Sequence, residues 1–218
     1  MNTSSPSAIT ASHAWGIWTW ALCFSGVTLW SVIDPKDYLT WFLESFPALI
    51  AAVIIILTYK RFPLTPLSYQ LILLHSCILL VGAHYTYAEV PLFTELQHWL
   101  GTARNDYDKV GHFAQGFIPA LIAREILLRL EVFNQRSWLN FFIVCFVLAV
   151  SASYELLEWW TALLSEEAAE AFLGTQGYEW DTQSDMAWAL FGAIIGLLSM
   201  SRLQNKQLAR LSANLKAR

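Results

Sequence analysis

Apolar residues gather in six long stretches, separated by short polar breaks. They run Trp15–Ile33, Leu39–Tyr59, Leu67–Ala88, Val110–Leu130, Trp138–Glu158 and Asp185–Ser201. A helix crossing ~30 Å of hydrocarbon needs roughly 20 mostly apolar residues, and the shorter stretches meet that length only marginally. The two-residue alternation of a membrane barrel is absent, and lipid leaves no unpaired backbone group unpunished, so each stretch is expected to be a helix. Pro35, Pro63 and Pro66 stand in the connections, where a missing N–H costs least. No linker or internal repeat divides the chain. The expected architecture is an all-α, polytopic membrane helix bundle of about six transmembrane helices. It would comprise an N-terminal tail (1–14), a membrane domain (15–201) and a basic C-terminal tail (202–218).

Composition agrees. Of 218 residues, 56% are hydrophobic and 14% are charged, and the mean hydropathy is +0.44; soluble domains carry about 25% charged residues. Met1 to His13 holds no Lys or Arg, unlike the n-region of a secretory signal, so the first stretch reads as a retained span. Cys23, Cys77 and Cys145 all fall in apolar runs without metal-ligand spacing, and read as small packing residues.

Positive charge orients such a bundle. Ten Lys/Arg would lie on the side of both termini, namely Lys60, Arg61, Arg124, Arg129, Arg136 and the five from Arg202 onward. Only Lys36, Arg104 and Lys109 would lie on the other. Both termini are therefore expected in the cytoplasm, with the five C-terminal cations near anionic inner-leaflet lipids. Between Arg136 and Arg202 there are eight Asp/Glu and no Lys, Arg or His, which puts the acidic stretch FLGTQGYEWDTQSD on the outer face. Gly174 and Gly177 would turn that loop back toward the membrane.

This orientation brings three polar clusters to one depth. In RNDYDKVGHFAQGF, Asp108, His112 and Gln115 share a helix face. In SASYELLEWW, Ser151, Tyr154, Glu155 and Glu158 form a similar stripe, and in WDTQSDM, Asp181 and Asp185 stand four apart. Glu44 and His84 lie near the same level on two other spans. Ionisable groups inside a membrane are costly and usually face a partner or a wet cavity, so a pocket at the outer face is expected. Several of these residues also have plain structural readings. Glu155 and Glu158 could pair with Arg104 or Lys109, and Trp159, Trp160 and Trp180 fit an aromatic belt. Gly192 and Gly196, with Ala189 and Ala193, suit close helix contact within the bundle or between copies. Arg124, Glu125 and Arg129 read as snorkelling or ion-paired.

The motifs YDKVGHFAQGF, YELLEWW and FLGTQGYEWDTQSDM, in that order and spacing, resemble those of the YjdF family of bacterial inner-membrane proteins. The resemblance covers essentially all six stretches and implies a location, the inner (cytoplasmic) membrane, without a reaction. The chain is also similar, more faintly, to VanZ-like membrane proteins. Asp108, Lys109, His112 and Phe113 match their Asp-Lys-x-x-His-Phe, and Ser151 and Glu155 a Ser-x-x-x-Glu in the next span. Asp185, Gly192 and Gly196 match a later motif in which Ala189 replaces an Asn, and the basic residue ahead of that Asp is missing. That likeness implies a role in the cell envelope.

Three functions follow from the same residues. The first is an envelope enzyme. One His with several carboxylates suits a divalent metal ion as cofactor, with His112, Glu155, Asp181 and Asp185 as ligands. Alternatively, His112, Glu155 and Asp185 would serve as acid/base groups. Asp108, Lys109, Gln115 and Glu158 would support either set. The substrate would be lipid-linked or another envelope component. The second is a transporter or binder of a cation or small solute. The third is a structural protein whose outer network docks a partner or fixes the helices. No H-E-x-x-H, G-x-S-x-G or phosphate-cradling loop is present, and the basic surface needed for nucleic acid is lacking.

Overall fold

The computed structural model describes residues 6–164 and 176–216. Glu166, Glu167, Glu170 and Gly174, part of the expected outer loop, lie outside the described residues; Gly177 is described, with φ +83°. Seven helices account for most of the described chain. They are α1 (Pro6–Val32), α2 (Tyr38–Thr58), α3 (Pro66–Tyr85), α4 (Pro91–Leu100), α5 (Tyr107–Arg129), α6 (Leu139–Leu164) and α7 (Asp181–Lys216). Their starts obey local chemistry. The Asp37 carboxylate accepts from Thr40 N at 2.6 Å and caps α2. Thr65 caps α3, and Pro66 follows where its missing N–H is harmless.

Helices α2, α3, α6 and α7 are long and apolar enough to cross a membrane, and α1 adds a shorter apolar segment, Gly16–Val32. Large side chains such as Leu22, Ile56, Leu57 and Leu198 are exposed, an arrangement that suits lipid and not water. Helix α5 is different. It carries Asp108, Lys109, Arg124, Glu125 and Arg129, yet it packs against α3, α6 and α7 at once. Protein shields most of its sides, so its charges need not meet lipid.

The tightest seam joins α5 to α7. A Cβ on Gly116 would strike the Ala189 carbonyl, and one on Gly192 would strike the Phe113 carbonyl. The small residues let the two backbones touch. Ala120, Ile143, Val147, Ala189 and Ala193 form the core below this crossing.

Two features depart from the sequence reading. The last helix continues from the apolar run through Ser201 to Lys216 without a break. Its polar extension is held by α5: Arg124 donates to Gln204 Oε1 and Asn205 Oδ1, both at 2.8 Å, and Gln204 Nε2 donates to Leu121 O at 2.7 Å. Second, α4 was not anticipated, being ten residues long and too short to register as a span. Its exposed stripe is Leu92, Leu96, Trp99 and Leu100, with Trp99 82% exposed. Its other side meets α5, where the Phe93 ring lies 5.1 Å from that of Tyr107. One apolar stripe facing outward is the geometry of a helix lying in the membrane interface.

The charged residues at the expected cytoplasmic end of α5 form a closed network. Glu125 is fully buried. Its carboxylate accepts from Thr65 N at 2.8 Å, Thr65 Oγ1 at 2.7 Å and Ser68 Oγ at 2.6 Å, and it pairs with Arg129 at 3.3 Å. Arg129 also donates to Pro63 O at 2.6 Å and stacks over Phe62. Both Glu125 oxygens are occupied, so this end is a clamp that fixes the α2–α3 connection to α5.

Candidate functional site

The opposite end of α5 is organised differently. Asn105, 1% exposed, anchors the approach to the helix. Its Nδ2 donates to Val90 O at 3.0 Å and Thr94 Oγ1 at 3.1 Å, while its Oδ1 accepts from Tyr107 N at 3.1 Å. Its backbone exchanges two hydrogen bonds with the Gln176 side chain. One residue thus ties α4, the start of α5 and the approach to α7. Sequence reasoning overlooked it; the signal was an Asn two residues ahead of a helix that begins with a polar stripe.

Arg104, beside it, pairs with Asp181 at the first turn of α7 and lies 3.8 Å from both Asp106 and Asp108. Burial works against the Arg104 charge, but the bond and charge of Asp181, together with the charges of Asp108 and Asp185, outweigh it and hold the guanidinium above its ordinary pKa. Lys109 pairs with Asp106 at 2.6 Å. Asp181 is therefore turned toward Arg104, and Lys109 toward the rim.

Deeper in, three ligand-type side chains converge. Asp108, His112 and Asp185 each offer one ligand atom, and all three atoms lie within 4.8 Å of one another. Asp108 and His112 are brought together by their one-turn spacing on α5, and Asp185 reaches them because the glycine seam draws α7 close. His112 is 5% exposed. Its Nδ1 lies 3.0 Å from Gln115 Oε1, so that nitrogen is the donor. Nε2 then faces the acids, at 3.4 Å from Asp108 Oδ1 and 3.8 Å from Glu155 Oε1. The ring also meets Tyr154 edge to face.

Among the described residues, Asp185 Oδ1, Glu155 Oε1 and Ser151 Oγ are enclosed without a hydrogen-bond partner. Buried polar atoms are nearly always satisfied, and exceptions call for an explanation. Ligands around a divalent ion at ~2.1–2.4 Å stand roughly 3–5 Å apart, so the Asp108–His112–Asp185 set has the right spread. The sequence reading made Asp108 an orienter; here it stands among the converging atoms. Glu155 stands beside them.

A cavity of about 260 Å³ opens next to this cluster. Helices α2, α3, α5 and α6 line it, with Asp108 and His112 at its edge and Glu44, Gln115 and Glu158 in its wall. Pro47 and Pro119, inside α2 and α5, also line it; each interrupts the helical hydrogen-bond ladder. His84 is placed elsewhere: its Nδ1 lies 3.1 Å from Ser31 O and its ring stacks near Trp30 at the end of α1.

Residues 16–206 match the family model described as "Predicted membrane protein (DUF2238)". The chain belongs to that family. The residues of the candidate site, from Glu44 to Asp185, fall within the matched segment. The chain is 49% identical to Inner membrane protein YjdF of Escherichia coli (strain K12) over 192 residues, 88% of this chain and 92% of that protein. The likeness to the YjdF family read from the three motifs is thereby shown, and the protein is a multi-pass protein of the bacterial inner membrane. No solved structure matches the chain.

Proposed function

We propose that the protein binds a divalent cation at the outer face of the inner membrane, through Asp108, His112 and Asp185, with Glu155 as a further ligand. The cation would act on or hold a lipid-linked or other cell-envelope substrate. The observation that supports this most is the convergence of three ligand atoms within 4.8 Å beside two buried carboxylate oxygens with no hydrogen-bond partner among the described residues. The contrast within α5 supports it too: the clamp at Glu125 is satisfied, whereas the cluster at His112 has unused lone pairs. Oxygen-rich sets with one His suit Mg²⁺ or Mn²⁺, and the His admits Zn²⁺.

In this reading Gln115 fixes the His112 tautomer so that Nε2 presents its lone pair, and Arg104 holds the first turn of α7 through Asp181. A bound ion would supply an activated water or polarise an ester, amide or phosphoester. The outer placement rests on the ten-to-three distribution of Lys and Arg; in this reading both termini lie in the cytoplasm and the chain crosses the membrane six times. Calorimetric titration of the purified protein with Mn²⁺ and Zn²⁺ tests the site. Saturable binding that is lost in Asp185→Asn supports it; unchanged binding in that variant, or none in the wild type, removes it.

A further inference from the structure

We propose that the cavity between α2, α3, α5 and α6 is a second binding site, and that it takes an organic ammonium ion. Glu44 carries the argument. It lies in the second turn of α2, 3% exposed, and its Oε2 is enclosed without a hydrogen-bond partner among the described residues. Across the cavity, His75 Nε2 is likewise enclosed and unpartnered. An enclosed carboxyl oxygen without a partner is costly, and a ligand that brings a positive charge favours the ionised acid and satisfies it.

The lining selects the sign of that ligand. Among the described residues, three carboxyl groups, from Glu44, Asp108 and Glu158, line the cavity, and no Lys or Arg does. The lining also selects its kind. Around Glu44 the wall is Pro47, Ala48 and Ala51 on α2 and Ile72 and Leu79 on α3. A bare metal ion needs several protein ligand atoms converging on one point, and among the described residues no such group includes Glu44. An ammonium with carbon substituents needs one counter-charge, apolar walls and aromatic faces, and Tyr87 and Tyr154 supply rings in the lining. The volume of about 260 Å³ admits on the order of ten non-hydrogen atoms at ~20–30 Å³ each. The cavity borders the proposed cation site and shares Asp108 and His112 with it, but Asp185 does not line the cavity and Glu44 is not among the converging ligand atoms, so these two residues tell the two kinds of binding apart.

The test uses the full chain in nanodiscs, with a chelator present, and benzyltrimethylammonium as the probe in calorimetric titration. The expected result is saturable binding that the uncharged isostere neopentylbenzene does not reproduce. Glu44→Gln, which keeps the shape and removes the charge, is expected to weaken it at least about tenfold while leaving Mn²⁺ binding intact. Asp185→Asn is expected to do the reverse. Ala51→Leu, which fills the cavity without touching a polar group, is expected to abolish ammonium binding and settles the question if Glu44→Gln fails to fold. The proposal is overturned if the wild type shows no saturable binding at millimolar probe. Equal binding of the neutral isostere overturns it too, as does unaltered binding in Ala51→Leu.

Discussion

His112 Nδ1 lies 3.0 Å from Gln115 Oε1, three residues further along α5. That contact decides which nitrogen faces the acids. The Gln carbonyl can only accept, so Nδ1 carries a proton and Nε2 is the nitrogen left to face Asp108, Glu155 and Asp185, where it donates to a carboxylate or, on giving up its proton, ligates an ion. Gln115→Leu should therefore lower Mn²⁺ affinity about 10–100-fold with little change in thermal stability. Calorimetry and a melting curve on the same sample check both parts.

The Glu125 clamp should behave in the opposite way. Removing the carboxylate in Glu125→Ala strands the Thr65 and Ser68 donors and leaves Arg129 without its acid. Breaking a buried pair of this kind costs about 3–5 kcal/mol. The expected outcome is a clear loss of thermal stability in detergent, while Mn²⁺ affinity, measured below the new melting temperature, stays as in the wild type.

The seam between α5 and α7 links stability to the site. Gly192→Leu would drive a side chain into the Phe113 backbone, about two turns beyond Asp185, and force the helices apart. It should reduce stability and Mn²⁺ binding together. Gly16→Leu, where nothing lies within 4 Å, should change neither. Parallel titrations of the two variants make the comparison.

Orientation can be read chemically. With the native cysteines Cys23, Cys77 and Cys145 replaced by Ser, a cysteine at exposed Thr102 should react with a membrane-impermeant maleimide from the periplasmic side. One at exposed Asn214 should react only after the inner membrane is opened. The reverse pattern would put the cluster on the cytoplasmic face.

Much of the bundle was legible because lipid imposes a simple rule: long apolar runs must be helices. The polar stripes at Asp108–His112–Gln115 and Asp181–Asp185 were legible for the same reason, since helical spacing assigns residues to faces. Partnership was harder to read. Asp181 and Asp185 look equivalent in sequence, but one turn of α7 separates an acid paired with Arg104 from one that joins His112. Asn105 was overlooked because its role, bonding three separated segments, shows only in the folded chain. Helix α4 escaped because a ten-residue amphipathic stretch leaves no span-length signal, and Glu44 gained meaning only once a cavity surrounded it.

The most direct test of the metal site is pulsed electron paramagnetic resonance of the Mn²⁺-loaded protein. Nitrogen coupling from a single directly bound imidazole, present in the wild type and absent in His112→Ala, is the expected result. No nitrogen coupling in the wild type, or coupling that persists in His112→Ala, would contradict the account.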